Sequence, residues 1–222
     1  MASKISEIQT GGSEPTNPRA VFAYDKNSSI VVPKMIVVDL SQSADLGYCF
    51  YNCKNLSSLT LPDGFGRVAT NIDNCFSGCK GLTSLTLPAG FGRVATNINN
   101  CFSGCEGLVS LTLPDGFGSV AKEISTCFNN CTSLTSMTLP AGFGSAATDI
   151  RNCFWQCHKL KSLTLPAGFG QNATNISYCF EADYKLSSLT LPDGFGSVAT
   201  DIRRSFYTCV NLVDLHLPEG FG

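Results

Sequence analysis

The block Leu-Thr-Leu-Pro at Leu59–Pro62 returns from Leu85, Leu111, Met137, Leu163, Leu189 and Leu215, each time after 26 residues, with Met137 replacing one leucine and His216 one threonine. One repeat reads as a short strand, a Gly-Phe-Gly turn, a short Ala-Thr stretch and a Cys-Phe-x-x-Cys turn. No such unit can bury its apolar side by itself, so successive units must stack. The expected fold is an α/β solenoid of about seven coils of 26 residues, a right-handed superhelix with one short strand and one short helical turn per coil.

The copy from Leu59 to Ser84 shows how one coil works. Leu59 and Leu61 alternate with Ser58 and Thr60, the period of a strand with one buried face. Pro62 has no N–H and closes the strand. Asp63-Gly64-Phe65-Gly66 turns the chain with Phe65 inward, and Val68, Ala69 and Ile72 are expected to extend the apolar lining. Thr70 or Asn71 is the expected N-cap of the helical turn that carries Cys75, Phe76 and Cys79. Stacking turns these positions into inner ladders of Leu, Phe, Ile and Cys, with an outer ladder of Thr60, Thr86, Thr112, Thr138, Thr164, Thr190 and His216.

Twelve cysteines would ordinarily suggest a disulfide scaffold or a metal site. Here they fall in one motif, as Cys49/Cys53, Cys75/Cys79, Cys101/Cys105, Cys127/Cys131 and Cys153/Cys157, then Cys179 and Cys209 with Asp183 and Ser205 in the partner places. Thiols four apart on one face suit a disulfide poorly, and two per coil fall short of the four ligands of a zinc site. The reading is of buried, reduced thiols acting as small apolar residues, with no metal and no cofactor.

Composition narrows the function. Only 14% of residues are charged and the net charge is −2, so no basic stripe exists for nucleic acid. No run of about 18 apolar residues spans a membrane. The opening Met1-Ala2-Ser3-Lys4-Ile5 lacks a signal peptide's apolar core, so the chain as written reads as cytoplasmic at synthesis. His158 follows Cys157, but sequence neighbours do not face one another as a catalytic pair would, and no carboxylate pair recurs; no catalytic residue is expected. Asn-x-Ser/Thr stretches such as those from Asn55, Asn130, Asn172 and Asn175 read as by-products of coils rich in these residues.

The block from Cys75 to Pro88, Cys-Phe-x-x-Cys-x-x-Leu-x-Ser-Leu-x-Leu-Pro, resembles the leucine-rich repeats of the BspA-like (Treponema pallidum-type) class. The resemblance recurs in register along most of the chain, with a Cys where the class carries Ala and a longer coil. It implies a non-enzymatic protein of the bacterial surface or a secreted one, engaged in adhesion.

Two regions depart from the repeat. Residues 1–30 read as a Gly/Ser/Pro-rich arm, Gly11 to Pro18, followed by a hairpin of Ala20–Tyr24 and Ile30–Val32, with the solenoid expected over 31–222. Met35–Leu40 occupies the place of a first coil. The arm is either a cap on that coil or an element docking into a larger assembly. In the turn row, Ser77, Ser103 and Asn129 are small, whereas Tyr51, Trp155, Glu181 and Tyr207 are large and expected to be exposed. Trp155, His158, Lys159, Tyr178, Tyr184, Arg203, Arg204 and Tyr207 form the candidate binding residues, aromatic anchors amid cations.

The expected function is recognition or adhesion toward a protein or glycan. The alternative is a structural part of a virion, from a phage of an anaerobic gut bacterium, or of another large assembly. It would use contacts or self-association through residues 1–30 and the uncapped last coil.

Overall fold

The computed structural model describes residues 22, 27, 29–31 and 42–222. Among the described residues, eight three-residue strands mark the coils: β1 Ser29–Val31, β2 Ser58–Thr60, β3 Ser84–Thr86, β4 Ser110–Thr112, β5 Ser136–Thr138, β6 Ser162–Thr164, β7 Ser188–Thr190 and β8 Asp214–His216. They pair in parallel two by two, β1 with β2 through to β7 with β8, with equivalent residues opposite one another, as Leu85 with Leu111. From β3 to β7 the central residue is buried and its two neighbours are exposed, which leaves the Ser and Thr ladders on the surface. A second parallel ladder runs unbroken along another flank, from Asp45 through Asn71, Asn97, Glu123, Asp149 and Asn175 to Asp201.

β1 pairs in parallel with β2, Ile30 opposite Leu59, as successive coils do. Phe22 lies in the same stack: its ring is 4.9 Å from that of Phe50, and its N–H donates to Cys49 O at 2.7 Å. The other expected hairpin residues, the Gly/Ser/Pro arm and Met35–Leu40 lie outside the described residues.

The Cys-Phe-x-x-Cys segment is not the expected helical turn; the described residues contain no helix. The residue before each cysteine is left-handed: Asn74 (φ 54°), Asn100 (55°) and Asn152 (55°) before the first, Gly78 (76°), Gly104 (70°) and Asn130 (57°) before the second. That conformation breaks a right-handed helix after one residue, and Asn and Gly adopt it at least cost. The chain instead makes overlapping four-residue turns, with Cys75, Ser77 and Cys79 N–H groups bonded to Ile72, Asn74 and Phe76 O at 3.3, 3.1 and 3.2 Å. The intervening N–H groups leave the coil, so that Asn74, Phe76 and Gly78 donate to Asn99, Cys101 and Ser103 O of the next coil at 2.9, 2.9 and 2.8 Å. Asn71 does cap this segment, its Oδ1 accepting the Asp73 N–H at 3.2 Å, but the segment it caps is a turn.

Two phenylalanine columns form the centre of the core. Phe76 and Phe102 stack at 5.4 Å between centroids, Phe91 and Phe117 at 6.2 Å, and tilted contacts such as Phe102 to Phe117 at 6.1 Å join the columns. Close stacking leaves no room beside the Gly-Phe-Gly turn: a Cβ on Gly92 (φ 68°) would sit 2.6 Å from the Phe117 ring. Ala69 and Ile72 line the core as expected, but Val68, Val94 and Val120 are 39%, 42% and 45% exposed. The coil turns outward for two residues, Arg67 and Val68, between Gly66 and Ala69, which places the valine on the surface.

The cysteines complete the interior. Eleven of the twelve are buried, Cys209 is half-buried, and none is in a disulfide. In one column each thiol donates to a phenylalanine carbonyl of the preceding coil, as Cys79 to Phe50 O at 3.1 Å and Cys105 to Phe76 O at 3.2 Å. The thiols therefore satisfy carbonyls as well as filling space, and burial pushes the Cys105 thiol up to about 12.

Candidate functional site

The candidate residues occupy turn positions on three successive coils and form two clusters rather than one. Stacking brings residues 26 apart together, so Tyr178 and Arg204 occupy the same coil position on neighbouring coils, both left-handed at φ 60° and 56°. The Arg204 guanidinium carbon lies 4.8 Å from the Tyr207 ring centroid and 6.0 Å from that of Tyr178, a cation held between two aromatic rings. Its Nη1 is 3.6 Å from Glu181 Oε1. Glu181 is buried rather than exposed, since Arg204 lies against it, and its Oε2 has no hydrogen-bond partner among the described residues.

The second cluster is His158 stacked on Tyr184, ring centroids 4.8 Å apart and 15° between planes. Burial lowers the His158 pKa, which keeps the imidazole neutral near pH 7. Its Nε2 is buried without a hydrogen-bond partner among the described residues. Asn211 Nδ2 donates to the Tyr184 carbonyl and ties this cluster to the next coil.

Three candidates stand apart. Arg203 is bound to Asp201 by two hydrogen bonds, at 2.9 and 2.8 Å, and this pairing holds the Asp201 carboxyl down at about 2. Trp155 is half-buried and two coils from Tyr207, with the Glu181 position between them. Lys159 is exposed and has no acid partner among the described residues.

Just inside this surface, the sequence's departures from the cysteine pattern have different outcomes. Ser205 stands in the first column, that of Cys75, Cys101, Cys127, Cys153 and Cys179, and its Oγ donates to Ile176 O at 2.9 Å. Asp183 is fully buried, its Oδ1 accepting the Cys157 N–H at 2.9 Å while Oδ2 has no partner among the described residues. Burial pushes its carboxyl well above the usual range. Cys157 turns its thiol to Phe128 O at 3.2 Å, so it is not presented to His158. Among the described residues no group of three or more His, Cys, Asp and Glu is placed to hold a metal ion, and no helix is long and apolar enough to cross a membrane.

The model of the BspA type leucine rich repeat region matches residues 18–124, 46–175 and 174–222, in six copies. The chain belongs to this family. As a BspA-type leucine-rich-repeat protein it is similar in fold to a leucine-rich repeat protein from Bacteroides ovatus, at TM-score 0.57 and 22% identity over 80% of this chain. It spans 42% of that protein's length. The Treponema pallidum leucine-rich repeat protein is also similar, at TM-score 0.51 and 23% identity, covering 87% of this chain and 72% of its own. No curated protein sequence matches the chain.

Proposed function

We propose that this BspA-type protein is a non-enzymatic recognition module, engaging a protein or glycan in adhesion at a bacterial surface through the turn row of its C-terminal coils. The supporting observation is the clustering of Tyr178, Arg204 and Tyr207 where the second and third copies of the turn carry Asn74 and Ser77, then Asn100 and Ser103. Tyr207 is 53% exposed and Tyr184 41% exposed, on backbones fixed by stacking. Rigid aromatic side chains lose little entropy on binding, and Arg204, already held by Glu181, is pre-organised. Trp155, His158, Lys159 and Arg203 then form the surround.

The test is a binding screen against immobilised glycans and extracellular proteins, repeated with Tyr184→Ala/Tyr207→Ala. Loss of two aromatic anchors is expected to weaken a bound partner by about 30-fold or more while the melting curve stays in place. Undiminished binding by a folded double variant would remove the cluster from the interface.

A further inference from the structure

We infer that Lys159, Lys161 and Lys185 seat an anionic polysaccharide; the inference rests on the recognition reading above and names the ligand class. From residue 140 onward the chain has six Lys and Arg side chains, and the three arginines are each spoken for. Arg151 lies 3.4 Å from Asp149, Arg203 2.8 Å from Asp201 and Arg204 3.6 Å from Glu181. The three lysines are exposed and have no acid partner among the described residues.

Stacking gathers these lysines. Lys159 and Lys185 hold the same position on adjacent coils, which places their backbones about 5 Å apart. Lys161 lies two residues beyond Lys159, immediately before β6. In the earlier coils the same two positions carry Asn55 and Ser57, Gly81 and Thr83, Gly107 and Val109, and Ser133 and Thr135, all uncharged. The neighbouring acids do not cancel this charge: Glu181 is buried against Arg204, and Asp183 is fully buried with its ionised form disfavoured. The result is a local positive patch on a chain of net charge −2.

The surroundings select the kind of anion. Lysine is depleted at protein interfaces, whose centres are apolar. Here the neighbours are the exposed hydroxyls of Ser162 and Ser188, and the aromatic member, Tyr184, already has a ring face against His158. Strongly hydrated ammonium groups beside a hydroxyl ladder suit a hydrated polymer whose carboxylates or sulfates recur along its length, with hydroxyls to share hydrogen bonds. The coil step repeats the cation along the solenoid axis, so the polymer lies along that axis.

The experiment measures binding of the whole chain to polygalacturonate, heparin and neutral dextran, with polyglutamate and duplex DNA as polyanions of other classes. Binding to polygalacturonate points to a carboxylate ligand and binding to heparin to a sulfated one. Either is expected to weaken as salt is raised and to fall by about tenfold in Lys159→Ala/Lys161→Ala/Lys185→Ala. Arg67→Ala/Arg93→Ala, which removes two cations elsewhere on the coil, is expected to bind as the parent does. The lysines are exposed, and the corresponding Lys→Gln triple gives a second folded probe. The inference is overturned if the triple variants bind as the parent, if polyglutamate or DNA binds better than either acidic polysaccharide, or if no polyanion binds. If it is overturned while a protein or neutral glycan still binds through Tyr184 and Tyr207, the recognition reading stands without it. If nothing binds at all, both fall.

Discussion

Raising the pH should unfold this protein in a narrow range set by its thiols. Nine buried cysteines, in two columns from Cys75 to Cys179, have their ionisation pushed up from an ordinary value of 9.0, chiefly by burial; for Cys79 the hydrogen bond with Cys53 comes first and burial second. A group whose folded pKa lies above its unfolded value stabilises fully below the unfolded value and progressively less above it. Stability therefore falls as pH rises past about 9, because only the unfolded chain releases these protons. Each thiol that stays neutral in the fold costs roughly 0.4 kcal/mol at pH 9 and roughly 1.4 at pH 10. Nine together cost about 4 and then about 13 kcal/mol, against a typical total of about 5–15. Circular dichroism under reducing conditions should show loss of the fold between about pH 9 and 10, with thiolate absorbance rising in the same step. Cys75→Ser/Cys101→Ser/Cys127→Ser follows the native precedent of Ser205 in the first column and removes a third of the effect. It should recover about 4 kcal/mol at pH 10 relative to its own stability at pH 7. An intact fold at pH 11, or an alkaline midpoint independent of thiol number, would refute the reasoning.

Other perturbations test other parts of the fold. Asp183→Cys should raise the urea midpoint at pH 7 and lose that advantage toward pH 4, since the buried carboxyl is raised above its ordinary value and costs stability only where the unfolded chain ionises; an equal gain at both pH values would contradict this. Gly92→Ala should destabilise by about 2 kcal/mol or more, through its φ of 68° and the Phe117 ring 2.6 Å from the new Cβ, and a melt within a degree of the parent would show that the stack yields. At Asn100 (φ 55°) Gly should be tolerated and Ala should cost about 1 kcal/mol; the reverse order in denaturant titrations would mean that the turn is not held left-handed.

The repeat makes the stacking and the inward Leu, Phe and Cys legible, because a fixed period leaves equivalent residues no choice but to meet. The nature of the turn is harder to read, although its signal is present. Asn74, Gly78, Asn100, Gly104, Asn130 and Asn152 each precede a cysteine, and Asn and Gly are the residues that accept positive φ. Val68 has the character of an inward residue, yet the coil geometry exposes it. In the site, the meeting of Tyr178 with Arg204 follows from their 26-residue separation. The burial of Glu181 and the capture of Arg203 by Asp201 do not, since both depend on how far side chains reach around a turn.

The constancy of the contacts between coils reaches beyond stability. Turn N–H groups find the carbonyl 25 residues ahead, and thiols the carbonyl 29 residues behind, as from Asn74 to Asn99 and from Cys79 to Phe50. Recombination that adds or deletes one 26-residue unit therefore leaves the remaining donors facing equivalent acceptors. The gene can change the protein's reach in steps of about 5 Å without redesigning a single interface, so that length becomes a heritable dimension separate from fold.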